Sequence, residues 1–145
     1  MGITEAKVKI PEIGDFITVA WGLELAKYYQ LDHIVERLEK HPERYRGFYY
    51  DGCSMIDDRM LGILTKSRKW KDITDKCCCP HDIGYAYGDP DNEEEERLER
   101  DLEFKKGLKK VMRWHEVVKL FFKGVRIGGK GCLKQSYSWA FAVIK

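Results

Sequence analysis

Residues 77–88 read CCCPHDIGYAYG and are rich in reactive side chains. On a helix, residues four apart lie above one another on one face. Cys77, His81 and Tyr85 have this spacing, and Asp82 lies in the neighbouring row. The sequence therefore predicts a helix that gathers an imidazole, a carboxylate and a phenol, which are groups able to exchange protons.

Two other interpretations of this stretch are open. A histidine beside an aspartate is more often structural than catalytic. Cys77, Cys78, Cys79 and His81 could instead bind zinc, but adjacent cysteines lack the C-x2-C spacing of structural zinc sites, and no second ligand pair follows. Neighbouring segments are therefore needed to distinguish these interpretations.

Two other segments supply oxygen atoms. Residues 50–54 read YDGCS, where Asp51 offers a carboxylate and small residues let backbone carbonyls turn toward a cation. Asp82 could add another oxygen, and calcium prefers such ligands. Asp101 follows His81 by 20 residues on a separate predicted helix. Two antiparallel helices would bring Asp101 and His81 face to face.

The N-terminal half predicts one helix and one long connection. Apolar residues spaced by three and four predict an amphipathic helix over residues 21–38. Residues 47–75 show neither helical nor strand periodicity and predict an irregular connection, where functional loops are common. The helix that carries His81 is expected to begin near Thr74 or Asp75, or closer to Cys78, because Pro80 is acceptable only in a first turn.

The C-terminal part predicts further helices. Residues 92–115 are dense in Glu, Lys, Arg and Leu and predict a long charged helix, which residues 117–122 could continue. Its first acids, residues 93–96, are expected to face solvent. Residues 124–131, GVRIGGKG, predict a turn or short hairpin, and residues 136–144 a final aromatic-rich element with Trp139 in the core. The fold class is thus mainly α, in a single domain over residues 1–145.

The composition excludes several classes of protein. With 26 Lys+Arg against 24 Asp+Glu in 145 residues, the net charge of +2 argues against a strongly basic nucleic-acid binder. The longest apolar stretch, residues 16–23, is far shorter than the ~20 residues that a membrane span requires. Residues 1–15 mix acids with lysines and do not predict a signal peptide.

Taken together, the motifs resemble a known family. The segment DGC at residues 51–53, then CxxHDxGYxY at residues 78–87, DxxF at residues 101–104 and a later cysteine are similar to secreted phospholipase A2, most closely its bacterial and fungal branch. The resemblance covers residues 48–145, and residues 1–47 match only as a preceding helical segment. It implies a phospholipase A2-like fold with two antiparallel catalytic helices, a calcium-binding loop and an aromatic C-terminal helix.

The resemblance also implies an activity, the calcium-dependent hydrolysis of the sn-2 ester of glycerophospholipids. His81 would be the general base that activates water. Asp101 would hold the other ring nitrogen of His81, and Tyr85 would hydrogen-bond Asp101. The alternative is a catalytically inactive phospholipase A2-like module that binds lipid or protein.

The same resemblance implies a metal and a partner. Calcium (Ca2+) would be bound by the Asp82 carboxylate, the Asp51 side chain and the Gly52 carbonyl. The partner would be the surface of a phospholipid membrane, bound peripherally by a monomer, with no nucleic acid involved. The family implies secretion.

The cysteines both match the family and depart from it. Five cysteines allow at most two disulfides, although in a reducing compartment they would be thiols or metal ligands. The family pattern implies a bridge from Cys53 to Cys78, whereas Cys132 lacks the partner that the family would give it. Many animal relatives have a further pair of cysteines where this chain has Gly84 and Arg100.

The connection before Cys77 is longer than the family's loop and contains KSRKWK at residues 66–71. This basic stretch could bind anionic headgroups with Trp70 entering the membrane interface. A solvated loop with one packed tryptophan is an equally good interpretation.

Overall fold

A computed structural model of the chain describes residues 8–52, 70–112, 115–131 and 138–144. The fold is mainly helical, as predicted, with one two-stranded antiparallel sheet among these residues. Cys53, Cys132 and the basic residues 66–69 lie outside the described residues, so the predictions that depend on them stay predictions. None of the described helices is long and apolar enough to cross a membrane.

The N-terminal segment forms two helices instead of the one predicted over residues 21–38. Helix α1 is Val19–Tyr28 and helix α2 is Asp32–Lys40. Gln30 between them has φ +59, a left-handed conformation that no hydrophobic pattern signals. The apolar residues Leu25 and Ile34 are nevertheless both buried, because the two helices pack their apolar faces into one core.

One strand of a short sheet lies at the start of the predicted irregular connection, residues 47–75, which is therefore not irregular there. Strand β1 is Phe16–Ile17 and strand β2 is Phe48–Tyr49, paired antiparallel. Ile17 and Phe48 are buried, whereas the other residue of each strand is exposed, as the alternation of side chains along a strand requires. The sheet leads directly into Tyr50 and the Asp51–Gly52 element.

The helix that carries His81 begins earlier than predicted. Helix α3, Trp70–Ile73, continues through a π-helical turn, Thr74–Cys78, into helix α4, Cys79–Ala86. The Cys79 N–H donates to the Thr74 carbonyl, five residues back. This wider turn accommodates Pro80, which has no N–H and whose ring would crowd the carbonyl four residues earlier in an ordinary helix.

Two long helices follow. Helix α5, Glu93–Val111, confirms the predicted charged helix. Met112 is extended, so residues 117–122 belong to a separate helix α6, His115–Gly128. The turn or hairpin predicted from residue 124 is wrong up to residue 128, because α6 continues there. Val125 is buried in the core and its carbonyl accepts a hydrogen bond from Arg97, and this packing outweighs the low helix propensity of glycine.

Residues 138–144 form turns and one β-bridge, between Tyr45 and Val143, so an aromatic helix is wrong for this part of the chain. The Ala142 N–H donates to the Ala86 carbonyl at 3.0 Å, which holds the segment at the end of α4. Trp139 is buried, as predicted, and its indole N–H donates to the Asp89 carbonyl.

Two hydrophobic clusters meet at the helical segment formed by the π-helical turn and α4. The first contains the N-terminal helices and the sheet together with Cys79 and Ile83, and the second contains α5 and α6 together with Cys77 and Cys78. The helix between them is therefore covered on both sides. As a result, the polar side chains that it carries, His81 and Asp82 among them, are buried.

Candidate active site

Helices α4 and α5 run antiparallel and bring His81 against Asp101. Cys77 lies beside Gly107, His81 beside Asp101, and Tyr85 reaches the same carboxylate from the next turn. Residue numbers therefore increase along the π-helical turn and α4 in the direction in which they decrease along α5. Nε2 of His81 is 2.7 Å from Oδ1 of Asp101, which is hydrogen-bonding distance.

Asp101 is fully buried and has several donors. The Tyr85 hydroxyl donates to Oδ1 at 2.6 Å, and Nη1 of Arg126 in α6 donates to Oδ2 at 2.7 Å. Arg97 lies 3.7 Å from the same Oδ2. Burial alone would raise the pKa of Asp101, but hydrogen bonds from these groups and from His81 hold that pKa below its ordinary value. The carboxylate therefore stays ionised.

His81 lies in an aromatic environment. Its ring centroid is 4.3 Å from that of Tyr85 and 4.6 Å from that of Phe104. Burial lowers the pKa of His81, although the hydrogen bond and charge of Asp101 act in the opposite direction. A neutral ring that donates its Nε2–H to Asp101 has its lone pair on Nδ1, and this nitrogen can accept a proton.

A cavity gives a ligand access to this ring. It has a volume of about 490 Å³ and lies between α4, α5 and the turn that joins α1 to α2. His81, Pro80 and Phe104 form part of its wall. Because His81 is only 4% exposed, contact with the ring depends on this cavity rather than on the outer surface.

The predicted calcium ligands form a second, adjoining group. Burial raises the pKa of Asp82 well above its ordinary value, and the negative charge of Asp51 raises it further. Gly52 has φ +70, a conformation that favours glycine. Two carboxylates that repel each other are oxygen donors of the kind that a hard cation such as calcium prefers.

This donor set differs from a cluster of several acidic side chains. No group of three or more His, Cys, Asp or Glu side chains that could hold a metal is found within residues 8–52, 70–112, 115–131 and 138–144. The predicted set has two such side chains and a carbonyl from Gly52. The predicted set therefore offers only part of the six to eight oxygen ligands that calcium usually takes.

The cysteines argue against zinc. Cys77 and Cys79 are free and buried, and burial raises the pKa of each thiol to about 12. Cys78 is disulfide-bonded, so it has no thiolate to offer to zinc. Its predicted pairing with Cys53 stays a prediction, since Cys53 lies outside the described residues.

Gly84 of α4 lies against the side chain of Arg100 in α5. A Cβ atom placed on Gly84 would lie 2.7 Å from Cδ of Arg100. Glycine at position 84 therefore lets Arg100 pack directly across α4. The Arg100 side chain is 14% exposed, so its charge is largely buried beside the site.

Sequence reasoning missed three residues around Asp101 and the start of α5. Arg97 lies four residues before Asp101, a helical spacing that could have indicated the contact. Arg126 had no such signal, because it is 25 residues away in the segment predicted as a turn. Glu96 was expected to face solvent, but it is 6% exposed and forms an ion pair with Arg37 of α2.

Comparison with family models, with curated proteins and with solved structures gives no match.

Proposed function

We propose that the protein is a calcium-dependent phospholipase A2 that hydrolyses the sn-2 ester of glycerophospholipids. The contact of His81 Nε2 with Asp101 Oδ1 at 2.7 Å carries this proposal, with Tyr85 on the same oxygen at 2.6 Å. A buried carboxylate in this position fixes the tautomer and the orientation of the imidazole. The resemblance of residues 48–145 to secreted phospholipase A2 supports the choice of substrate.

His81 is the proposed general base. Its Nδ1 takes a proton from water while the water oxygen attacks the sn-2 carbonyl carbon. When the bond to the glycerol oxygen breaks, the proton passes to that oxygen, which leaves a fatty acid and a lysophospholipid. Asp101 stabilises the imidazolium without taking its proton, because Tyr85 and Arg126 keep the carboxylate ionised.

Asp82, Asp51 and Gly52 are the residues proposed to hold calcium. When bound, calcium polarises the ester carbonyl and neutralises the negative charge that develops on its oxygen. The raised pKa of Asp82, caused by burial and by Asp51, supports this assignment, because a cation would replace repulsion between the carboxylates with attraction.

An exposed apolar patch supports peripheral membrane binding. Ile13, Phe16 and Tyr49 are 57%, 47% and 71% exposed. Phe16 and Tyr49 contact each other edge to face, and Ile13 packs over Gly52 of the proposed calcium element. Large apolar side chains grouped on a surface are suited to insertion into a lipid interface. The patch would bring that interface next to the calcium ligands.

The test is release of fatty acid from mixed phosphatidylcholine and phosphatidylglycerol vesicles, with calcium and then with excess chelator. Release is expected only with calcium, and His81→Gln is expected to reduce it by at least about 100-fold, because glutamine cannot accept the proton. His41→Gln is the matched control, since His41 is an exposed histidine outside the site. Circular dichroism establishes that each variant is folded.

Two results would contradict the proposal. Turnover retained in His81→Gln would refute the general base. No release by folded wild-type protein at any calcium concentration would instead favour the inactive lipid-binding module, and vesicle co-sedimentation would then measure binding directly.

A further inference from the structure

The cavity beside His81 has a wall of basic side chains. Lys76 precedes α4, while Arg100, Lys106 and Lys110 lie along α5. Glu103 is the one acidic residue that lines the cavity among the described residues. Four cations and one anion give this lining a net charge of +3, whereas the whole chain has only +2. The positive charge is therefore concentrated here, in what we call the basic cavity.

The two lysines of α5 that line the cavity, Lys106 and Lys110, share one helical face with Glu103. Residues 103, 106 and 110 are spaced by three and four, so their side chains emerge on the same side of the helix. No acidic side chain of the described residues lies within 4.0 Å of the Lys106 or Lys110 ammonium group. These two charges are therefore available to a ligand.

Arg100 is the least exposed of the four cations. Its side chain is 14% exposed, and its Nε has no hydrogen-bond partner among the described residues. Its nearest acid is Glu99. The Glu99 carboxylate lies 3.8 Å from Nη2 of Arg100, which is a long ion pair, and the Glu99 side chain is exposed. Arg100 nevertheless lines the cavity, and an arginine is suited to binding a phosphate oxygen.

The volume and the apolar lining of the cavity suit a ligand in which a small polar group is joined to an apolar one. A volume of about 490 Å³ is within the range of ligand-binding clefts. Leu31, Phe104 and Val111 contribute apolar surface near the charges, and His81 lies in the same wall. A ligand bound through its phosphate would therefore also contact the proposed general base.

We propose that the basic cavity receives the phosphate-bearing head of the substrate and selects phospholipids with an anionic headgroup over those with a zwitterionic one. This inference rests on the proposed phospholipase activity. A glycerol headgroup leaves the phosphodiester charge uncompensated, so the lysines attract it. A choline headgroup adds a quaternary cation, which the same lysines repel.

The test uses short-chain phosphatidylglycerol and phosphatidylcholine below their micellar concentrations, so that binding to a charged membrane does not contribute. Wild-type protein is expected to hydrolyse the anionic lipid faster. Lys106→Gln/Lys110→Gln is expected to lower the ratio of the two kcat/KM values by roughly five- to tenfold, since each exposed charge contributes modestly. Lys109→Gln/Lys123→Gln removes the same charge from exposed lysines outside the cavity and should leave the ratio unchanged.

A binding measurement without turnover separates the two proposals. Glycerophosphoglycerol and inorganic phosphate are titrated into the folded protein by calorimetry. Wild-type protein is expected to bind glycerophosphoglycerol, and Lys106→Gln/Lys110→Gln to bind it more weakly.

The outcomes are distinct. If no lipid is hydrolysed but glycerophosphoglycerol binds through these lysines, the proposed function fails and the ligand class is retained. Equal hydrolysis of both lipids, or a ratio that the cavity variant does not change, overturns the headgroup selection while the phospholipase proposal stands. Binding of inorganic phosphate alone would assign the basic cavity to free phosphate and also overturn it.

Discussion

At the scale of single residues, Asp101 is a buried charge that its neighbours keep ionised. Moving a carboxylate out of water is costly unless hydrogen bonds and opposite charges replace the lost hydration. His81 and Tyr85 share Oδ1, and Arg126 binds Oδ2. Because the donors come from α4 and α6, the charge state of the site depends on how three helices pack.

Arg126→Leu is expected to lower the free energy of unfolding by about 1–3 kcal/mol, because it leaves the buried Oδ2 of Asp101 without its charged donor. Arg126→Lys should cost less, since it keeps the charge. Urea unfolding at neutral pH measures both. Arg44→Leu, which alters an exposed arginine, is the control. Equal stability of Arg126→Leu and this control would contradict the assigned contact.

We expect Asp82 to lower the free energy of unfolding without calcium but to be required for calcium binding. Without calcium, Asp82→Asn is expected to be at least as stable as the wild type, because the amide removes a buried charge that Asp51 repels. The stabilisation that calcium gives the wild type should be absent in this variant. Thermal unfolding with calcium and with chelator measures both effects.

Asp72→Asn, at a position 58% exposed, is the control for Asp82→Asn. Its Tm should rise with calcium as much as that of the wild type. An equal rise in Asp82→Asn would remove Asp82 from the calcium ligands.

At the scale of secondary-structure elements, the α4–α5 pair is the frame of the site. A π-helical turn before α4 lets one continuous helical segment include Pro80 and still present His81 to α5. Across the pair, Gly84 leaves room for the Arg100 side chain. The helices therefore pack against each other here without a disulfide bridge between positions 84 and 100.

Gly84→Cys/Arg100→Cys is expected to form that bridge. A Cβ atom placed on Gly84 lies 3.8 Å from Cβ of Arg100, which is the mean separation in disulfides. A loop of this length is expected to add about 3 kcal/mol to the free energy of unfolding under oxidising conditions, reduced by the packing that the Arg100 side chain provides in the wild type. Urea unfolding with and without reductant, together with a thiol count, measures the effect.

Gly84→Cys alone is the control for the engineered bridge. Its Cβ would lie 2.7 Å from Cδ of Arg100, so it should be destabilised. Thiols in the double variant that stay free after oxidation would show that the helices are not paired in this register.

At the scale of the whole molecule, several ionisable groups are buried within the hydrophobic clusters. Burial raises the pKa of the Cys77 and Cys79 thiols to about 12, and it also raises the pKa of Tyr85 and Tyr87. These groups stay protonated in the folded protein at a pH where the unfolded chain loses their protons. Alkaline conditions therefore favour unfolding.

The free energy of unfolding is expected to be insensitive to these groups up to about pH 8 and to fall as pH rises from about 9, because the unfolded state then binds fewer protons than the folded state. Urea unfolding in reductant at a series of alkaline pH values measures the slope. Cys77→Ala/Cys79→Ala should have a shallower slope than the wild type. A free energy of unfolding that rises with pH in this range would contradict the buried, protonated state of these groups.

The sequence by itself predicted features that depend on local spacing. The class of mainly α protein, the charged helix α5 and the row of Cys77, His81 and Tyr85 all follow from residues three or four apart, since a helix converts such spacing into a face. The pairing of Asp101 with His81 was expected from two antiparallel helices. The structure places those two side chains in contact.

Only the tertiary structure decided the features that depend on distant partners. Glu96 is buried because Arg37, 59 residues earlier, neutralises it, and Arg126 reaches Asp101 because Val125 anchors α6 in the core. The left-handed Gln30 likewise divides one amphipathic pattern into two helices. Local pattern determines which face of an element is apolar, but the partner of a buried charge is determined by which elements pack together, and that information is spread over the whole chain.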